Sequence, residues 1–297
     1  YVQALAVLRS LRVPVMIRAE TTDVARQRSH GKALARAAFL RAFYSQCMGF
    51  LAIGHNSRLH YLAHGVPPSR IGWAPYCIDT ELFGRQMEVY GPQRSALRKE
   101  LGFDDDQTVF LYVGKLIPVK DPLLIPAALA QMATVERLGV GLVVVGDGEL
   151  REAMENQCRS LLGDRAAFAG FVNQNHLGRY YAMADCLVLP SQNETWGLVV
   201  NEALQFGLPA LVSDGVGCYP DLIVPEKTGL VFRRRDPEGL LLAMRQIREL
   251  LRCKHKAITS ACQEQVSRYS SFAAVEGICH AVKLFEGIQA QQRSIAL

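Results

Sequence analysis

The sequence contains no CxxC pair, no apolar run approaching the ~18–20 residues that span a bilayer, and no short basic-then-apolar leader ending in small residues. Its eight cysteines, at 47, 77, 158, 186, 218, 253, 262 and 279, are scattered. Several fall in apolar runs such as "DCLVLP", where they read as small buried hydrophobes. A reducing compartment fits, and the cytoplasm is the expectation. Signatures of a dedicated nucleophile or a zinc site are missing too: there is no GxSxG, no HExxH and no Cys/His pairing. Internal repeats, low-complexity tracts and helix-turn-helix or aromatic-basic patterns are also lacking, which argues against nucleic acid as a partner. What is present is an ordinary globular composition over 297 residues, enough for one large or two moderate domains at roughly 100–200 residues each.

Charge is unevenly placed. Residues 1–70 carry ten Lys/Arg (9, 12, 18, 26, 28, 32, 36, 41, 58 and 70) against Glu20 and Asp23, a balance of +8, so the rest must sum to −3 for the total of +5. Two readings stand side by side: an anionic partner, such as a phospholipid surface or a phosphate-bearing acceptor, or a solvated basic helix face in "RQRSHGKALARAAFLRAFY". The chain opens at Tyr1 directly in helical periodicity, which sets the expectation that a natural N-terminal portion precedes it.

From residue 108 onward, β-rich runs alternate with helical patterns, as in a doubly wound parallel sheet. The expected strands are "TVFLYVGKL", "VGLVVVGDG", "RAAFAGFV", "CLVLPS", "PALVSDG" and "TGLVF". Continuous Val/Leu runs suit strands covered on both faces. Helices are expected near 121–138, 149–162, 175–184, 197–207 and 219–223, with Pro126 shortening or kinking the first, and three more from about 236. Before residue 85 the same alternation appears around "VPVMIR", "FLAIG" and "RIGWAP". The expected class is α/β. Two Rossmann-like doubly wound domains are expected to face a cleft: an incomplete one over 1–85, a linker over 86–107, a second domain over 108–270, and a helix at 271–297 returning to the first.

In such sheets ligands sit beyond the C-terminal strand ends, where helix N-termini present unpaired N–H groups. Four stretches fall there. In "VGKLIPVKDP", Gly114 permits a tight turn and Lys115 and Lys120 are placed to converge on a diphosphate. "VVVGDGEL" lacks the three-glycine dinucleotide fingerprint and reads as a tight turn lining the nucleotide pocket. In "FAGFVNQNHL", Phe171 and Val172 offer a nucleobase an apolar shelf and backbone groups. In "NETWGLVVNEALQFGLP", Glu202 is expected to hold a ribose and Glu194 the transferred sugar, since a carboxylate accepts two adjacent hydrogen bonds. Gly197 and Leu198 would supply helix-start N–H donors to phosphate. "FDDDQ" holds a literal Asp-x-Asp at Asp104 and Asp106, but it precedes a strand and reads as a solvated turn, so no metal site is expected.

These motifs together resemble the GT-B glycosyltransferases of the large retaining family 4, the glycosyl transferases group 1. The family's Glu-x7-Glu pattern matches Glu194 and Glu202, with "TWG" where Phe-Gly is usual, and "EALQFGLPALVSD" follows as in the family. "GKLIPVK" (where Arg is more frequent at 115), "YYAMADCLVLPS", "EKTGLVF" and "GHNSRLHYLAHGVPPSRIGWAPYCIDTELF" extend the resemblance over nearly the whole chain.

The resemblance implies metal-independent transfer of a hexose from a nucleoside diphosphate sugar, with retention and without a cofactor. The acceptor would be a saccharide or lipid-linked saccharide in surface polysaccharide or glycolipid assembly, with peripheral association at the inner, anionic membrane face. Lys115, Lys120 and Glu194 take the catalytic roles; Gly114, Phe171, Val172, Gly197, Leu198 and Glu202 bind the donor. On the acceptor side "IRAETTD" offers Arg18 and Glu20, and His30 follows; the family often has a histidine in this region. The family's first N-domain strand and glycine-rich loop precede anything matched here. Two rivals remain: a sugar-nucleotide-binding protein without transfer, and a sugar-phosphate-forming or epimerising enzyme on the same scaffold.

Overall fold

Apolar runs with few polar interruptions become the strands of two parallel sheets. A computed structural model describes residues 2–21 and 29–295. The chain divides into two compact units, residues 1–77 with 269–297 and residues 78–268.

The first unit runs α1 (Val2–Ser10), β1 (Met16–Arg18), α2 (His30–Tyr44), β2 (Gly49–Ala52), α3 (His55–Ala63) and β3 (Ile71–Trp73). Its three strands are parallel in the order β1-β2-β3, with Phe50 opposite both Ile17 and Ile71. One face is closed by Leu5, Tyr44, Cys47, Phe50, Tyr61 and Val66; Tyr44 stands edge-on to Phe50 with ring centroids 5.0 Å apart.

The second unit continues with α4 (Thr80–Tyr90), α5 (Arg94–Glu100), β4 (Thr108–Val113), α6 (Leu124–Ala130), α7 (Thr134–Leu138), β5 (Val140–Val145), α8 (Arg151–Leu162) and β6 (Ala166–Gly170). Then come α9 (Gly178–Met183), β7 (Cys186–Leu189), α10 (Leu198–Gln205), β8 (Ala210–Ser213), α11 (Tyr219–Leu222), β9 (Gly229–Phe232) and α12 (Pro237–Ser267). Finally α13 (Ser271–Ile295) belongs to the first unit, where Ala281 and Phe285 pack on Leu51 and Ala74.

All neighbouring strands in the second unit are parallel, in the order β6-β5-β4-β7-β8-β9. The chain therefore winds outward from β4 through β5 to β6, then returns to the other side of β4 for β7, β8 and β9. The order reverses between β4 and β7, and the crevice beyond the C-terminal ends of those two strands is where doubly wound sheets bind ligands. Strands β5, β7 and β8 are buried at every residue, which explains their unbroken apolar sequences.

Two expectations need correction. Residues 86–107 are not a free linker: α4 and α5 pack into the second unit through long-range polar bonds. Asp79 caps α4 by accepting from Leu82 N at 2.9 Å, and Gln86 bonds Gln174 O at 3.1 Å and Gly178 N at 2.6 Å. Arg94 and Arg98 of α5 reach the Asp185 carboxylate at 2.5 and 2.6 Å, and Val109 N donates to the same group at 2.7 Å. Second, Pro126 does not kink a helix over 121–138. It sits in the first turn of α6, where its missing N–H has no intrahelical acceptor to lose; the break falls after Ala130, at an extended Ala133 that caps α7. The tail holds the three helical segments expected: α12 breaks into two at Lys254, whose φ of −136° leaves the helical range, and α13 follows.

Among the described residues no helix is long and apolar enough to cross a membrane. All eight cysteines are free; Cys47, Cys158, Cys186, Cys218 and Cys262 are buried, in keeping with their reading as small hydrophobes.

Candidate functional site

The loops beyond β4, β5, β7 and β8 are joined to one another by main-chain bonds. Gly114 N donates to Val145 O at 2.9 Å, Leu116 N to Asp147 O at 2.9 Å, and Leu150 N to Leu116 O at 2.9 Å, so the "GKL" and "GDG" turns run side by side. Gly146 has φ +141°, and a Cβ there would sit 1.8 Å from Gly114 O; only glycine permits that approach. Across the switch point, Gln192 N donates to Val119 O at 2.9 Å. On the far side, Glu194 N donates to Gly215 O at 3.0 Å, Gly217 N to Glu194 O at 2.8 Å and Cys218 N to Trp196 O at 3.0 Å. A Cβ on Gly217 would lie 2.0 Å from Thr195 O.

Into this frame the sequence inserts its charged groups. A 3-10 turn at Pro118–Lys120 ends on Asp121 in the left-handed region, φ 49°, and directs Lys120 toward the β7 loop. Its ammonium forms an ion pair with Glu194 Oε2, both side chains about four-fifths buried. The two residues are 74 positions apart, and the reversal of strand order at β4/β7 is what brings them together. Lys115, in the same loop, is exposed and forms no ion pair among the described residues. Its carbonyl accepts from the Tyr112 hydroxyl at 2.8 Å, and the buried Tyr112 phenol is pushed upward first by desolvation, then by the negative charges of Glu194 and Asp121.

Gly197, at φ +100°, turns the chain into α10, whose N-terminus has no side-chain cap. The amides of Leu198 and Val199 therefore open the helix without intrahelical acceptors. Trp196, buried in place of the smaller Phe expected by resemblance, is pinned by a 2.8 Å bond from Nε1 to Asn201 Oδ1. Glu202, one turn further along α10, belongs to another network. It is 6% exposed, and Oε2 accepts from the Tyr181 hydroxyl at 2.6 Å; it shares no hydrogen bond with the Lys120–Glu194 pair. Burial raises its carboxyl above the ordinary 4.5, and the Tyr181 bond opposes the shift. Phe171 is 79% exposed just past edge strand β6, with Val172 half-buried beside it.

Two supports escaped the sequence reading. Arg234 after β9 bonds Asp214 Oδ1 at 2.9 Å and Gln192 O at 3.2 Å, and Arg235 bonds the Gln192 side chain, so both arginines brace the loop that carries Glu194. "FRRRD" at a strand end was the available signal. Asp147 of the "GDG" turn is partly neutralised by Arg151 at 3.2 Å. Asp104 lies in an exposed turn, its Oδ2 accepting from Gln107 at 3.3 Å.

In the first unit, Arg18 at the end of β1 donates to Pro75 O at 3.1 Å and lies over the Tyr76 ring, 5.5 Å from its centroid. The Tyr76 hydroxyl donates to Glu20 Oε1, and burial, then Glu20, pushes that phenol up to about 12. The structure thus joins Arg18 and Glu20 through a tyrosine. Thr22 and Asp23 of "IRAETTD" lie outside the described residues, and of His30 only its place at the start of α2 is described.

Comparison with known proteins follows the same division. The model of the family described as glycosyl transferases group 1 matches residues 93–262, more than half of the chain and wholly within the second unit. Among curated relatives, an uncharacterised glycosyltransferase of Methanocaldococcus jannaschii is 29% identical over 174 residues, 58% of this chain and 44% of that protein. A D-inositol 3-phosphate glycosyltransferase of Geodermatophilus obscurus is 32% identical over 200 residues, 63% of this chain and 43% of that one. The chain thus spans less than half the length of these relatives. Among solved structures, Anabaena HepE in complex with UDP superposes with a TM-score of 0.71 at 19% identity, over 98% of this chain and 75% of that one. Sucrose-phosphate synthase from Thermosynechococcus elongatus gives 0.63 at 25% identity, over 91% and 63%. The fold is therefore that of GT-B glycosyltransferases, built from Rossmann-like units. With the family match falling on the unit that carries the Lys120–Glu194 pair, the chain belongs to the glycosyl transferases group 1.

Proposed function

We propose that this protein transfers a hexose from a nucleoside diphosphate sugar to an acceptor hydroxyl with retention at the anomeric carbon. The observation that carries the reading is the Lys120–Glu194 pair at the β4/β7 switch point, beside the uncapped start of α10. In the free protein each group occupies the other. A donor separates them: its diphosphate takes Lys120 and its transferred sugar gives hydroxyls to Glu194. Lys115 and the amides of Leu198 and Val199 add positive field where charge grows on the leaving diphosphate, a preorganised arrangement typically worth roughly 10²–10³ in rate per donor. Gly114 and Gly197 shape the turns, Glu202 holds the ribose, and Phe171 and Val172 receive the base. The bond from the anomeric carbon to the phosphate oxygen breaks, the acceptor oxygen bonds that carbon on the same face, and the acceptor proton passes to the leaving phosphate. No metal or enzyme nucleophile takes part in this scheme.

Arg18 and Glu20 are assigned to the acceptor. The excess of basic residues before position 70 supports an anionic acceptor or membrane surface, as in polysaccharide or glycolipid assembly at the inner membrane face. HepE was solved with UDP and with UDP-glucose, which makes UDP-sugars the first donors to try. The test is release of free nucleoside diphosphate from UDP-, GDP- and ADP-sugars, with and without saccharide and lipid-linked acceptors. Acceptor-dependent release is expected. Donor binding without turnover identifies a sugar-nucleotide-binding protein, and turnover without acceptor a sugar-phosphate-forming or epimerising enzyme. Co-sedimentation with anionic vesicles should weaken as salt rises; salt-independent or absent binding removes the membrane assignment.

A further inference from the structure

The mechanism above uses Glu202 but leaves unexplained what holds a carboxylate inside an apolar layer. Tyr181 of α9 is fully buried and stacks on Phe206 at the end of α10, with centroids 5.5 Å apart and planes 27° apart. Phe83 of α4 meets the same ring edge-on at 6.3 Å. Two rings from two other helices thus fix the phenol in one orientation, with its hydroxyl 2.6 Å from Glu202 Oε2. The other carboxylate oxygen, Oε1, forms no hydrogen bond, yet it is not one of the buried side-chain polar atoms without a partner among the described residues. It therefore reaches accessible surface. One carboxylate oxygen is committed to Tyr181 and the other has no hydrogen bond among the described residues.

Resting on the donor-site reading above, we propose that Tyr181 is a positioning residue: it locks Glu202 in a single rotamer and leaves Oε1 to receive a hydroxyl of the sugar nucleotide. Tyr181 does not touch the ligand. A carboxylate free to rotate would lose side-chain entropy each time donor bound, and one without a donor on Oε2 would be an unsatisfied buried anion. The tyrosine removes both costs in advance. Its position 21 residues before Glu202, within the "YYAMADCLVLPS" stretch, gives that motif a job on the donor side. Tyr181 is the one titratable group acting on Glu202, and Glu202 the one charged group acting on Tyr181, among the described residues; α4 and the end of α10 contribute the apolar rings Phe83 and Phe206.

The test measures donor affinity against pH for wild type, Tyr181→Phe and Glu202→Ala, with kcat alongside. Affinity should fall in acid as Glu202 protonates. Tyr181→Phe removes a bond that favours the ionised carboxyl, so the acidic limb should move to higher pH and affinity at neutral pH should drop roughly tenfold, with kcat nearly unchanged. Should Tyr181→Phe fold poorly, 3-fluorotyrosine at position 181 keeps the shape, strengthens the donor and should move the limb to lower pH. A limb that stays in place in Tyr181→Phe, or in the fluorotyrosine protein where the phenylalanine variant does not fold, while Glu202→Ala abolishes binding, overturns the positioning role. Binding untouched by Glu202→Ala overturns the donor-site reading itself.

Discussion

The two units solve the same problem, a parallel sheet with ligand-facing loops, by different means. In the second unit four strand-end loops are tied to one another through main-chain amides and carbonyls, and the charged pair is added to a frame that exists without it. In the first unit main-chain bonds tie only the ends of β2 and β3 among the described strand ends, Ala74 N to Ala52 O at 2.9 Å and Tyr76 N to Ile53 O at 3.0 Å, and the residues ending β1 reach them through side chains: Arg18 on the carbonyl of Pro75, the Tyr76 ring beneath the guanidinium, Tyr76 on Glu20. The first kind of site keeps its shape when a side chain is replaced. The second kind rests more heavily on its side chains. The family match lies wholly in the second unit, which carries the donor-binding proposal, whereas the acceptor proposal rests on the first.

This contrast can be broken at several points. The heaviest lies at Asp185, where two arginines and one amide converge. Asp185→Ala strands buried Arg98 and Arg94 without their counter-charge, and should cost about 3–5 kcal/mol. The chain's two tryptophans report it conveniently, Trp196 buried in the second unit and Trp73 partly exposed in the first. Urea unfolding followed by Trp196 emission in a Trp73→Phe background should shift strongly, with a smaller shift for Trp73 in a Trp196→Phe background. Equal shifts would mean the units unfold as one. Next comes the double change Lys120→Met with Glu194→Gln, which leaves neither charge buried alone; it should lower kcat by at least roughly 10²–10³ while keeping the unfolding free energy within about 1 kcal/mol of wild type. A large loss of stability would show that the pair, not the main chain, holds the loops. Tyr76→Phe should raise the acceptor KM several-fold and leave the donor KM alone, since it loosens Arg18 and Glu20 only.

The smallest effect is on stability and concerns Glu202→Gln. A carboxyl raised by burial binds its proton more tightly when folded than when unfolded, so stability is highest below the ordinary value of 4.5 and declines as pH rises through the folded value. Glutamine keeps an acceptor for Tyr181 and has no charge to bury. The variant should therefore melt higher than wild type at neutral pH, the difference vanishing in acid, while donor affinity falls. A variant melting lower at neutral pH would show that the ionised group stabilises the fold.

Much of this was legible in the sequence for identifiable reasons. Among the described residues eight of the nine strands lie within an expected run and β2 starts one residue before its own; the inner strands β5, β7 and β8 read most plainly, because coverage on both faces leaves no room for polar residues. Lys120 and Glu194 are legible as candidates because the strand-end rule marks their loops and their charges suit a diphosphate and sugar hydroxyls; that the two side chains pair with each other is seen only in the fold. What stayed hidden depends on partners distant in sequence. Arg94 and Arg98 look like linker charges until Asp185, 91 and 87 residues away, neutralises them. Tyr181 looks like core until its hydroxyl is seen on Glu202. Pro126 looked disruptive only because the helix start was placed three residues too early.

The Gly146 and Gly217 approaches carry a consequence for how this enzyme class diversifies. Because peptide groups set the course of the loops, a side chain mounted on them with no buried partner has room to change: exposed Lys115 can give way to arginine, whereas buried Trp196 is tied to Asn201. Exposed side chains on these loops can then be exchanged singly, whereas losing either glycine would close the route at once.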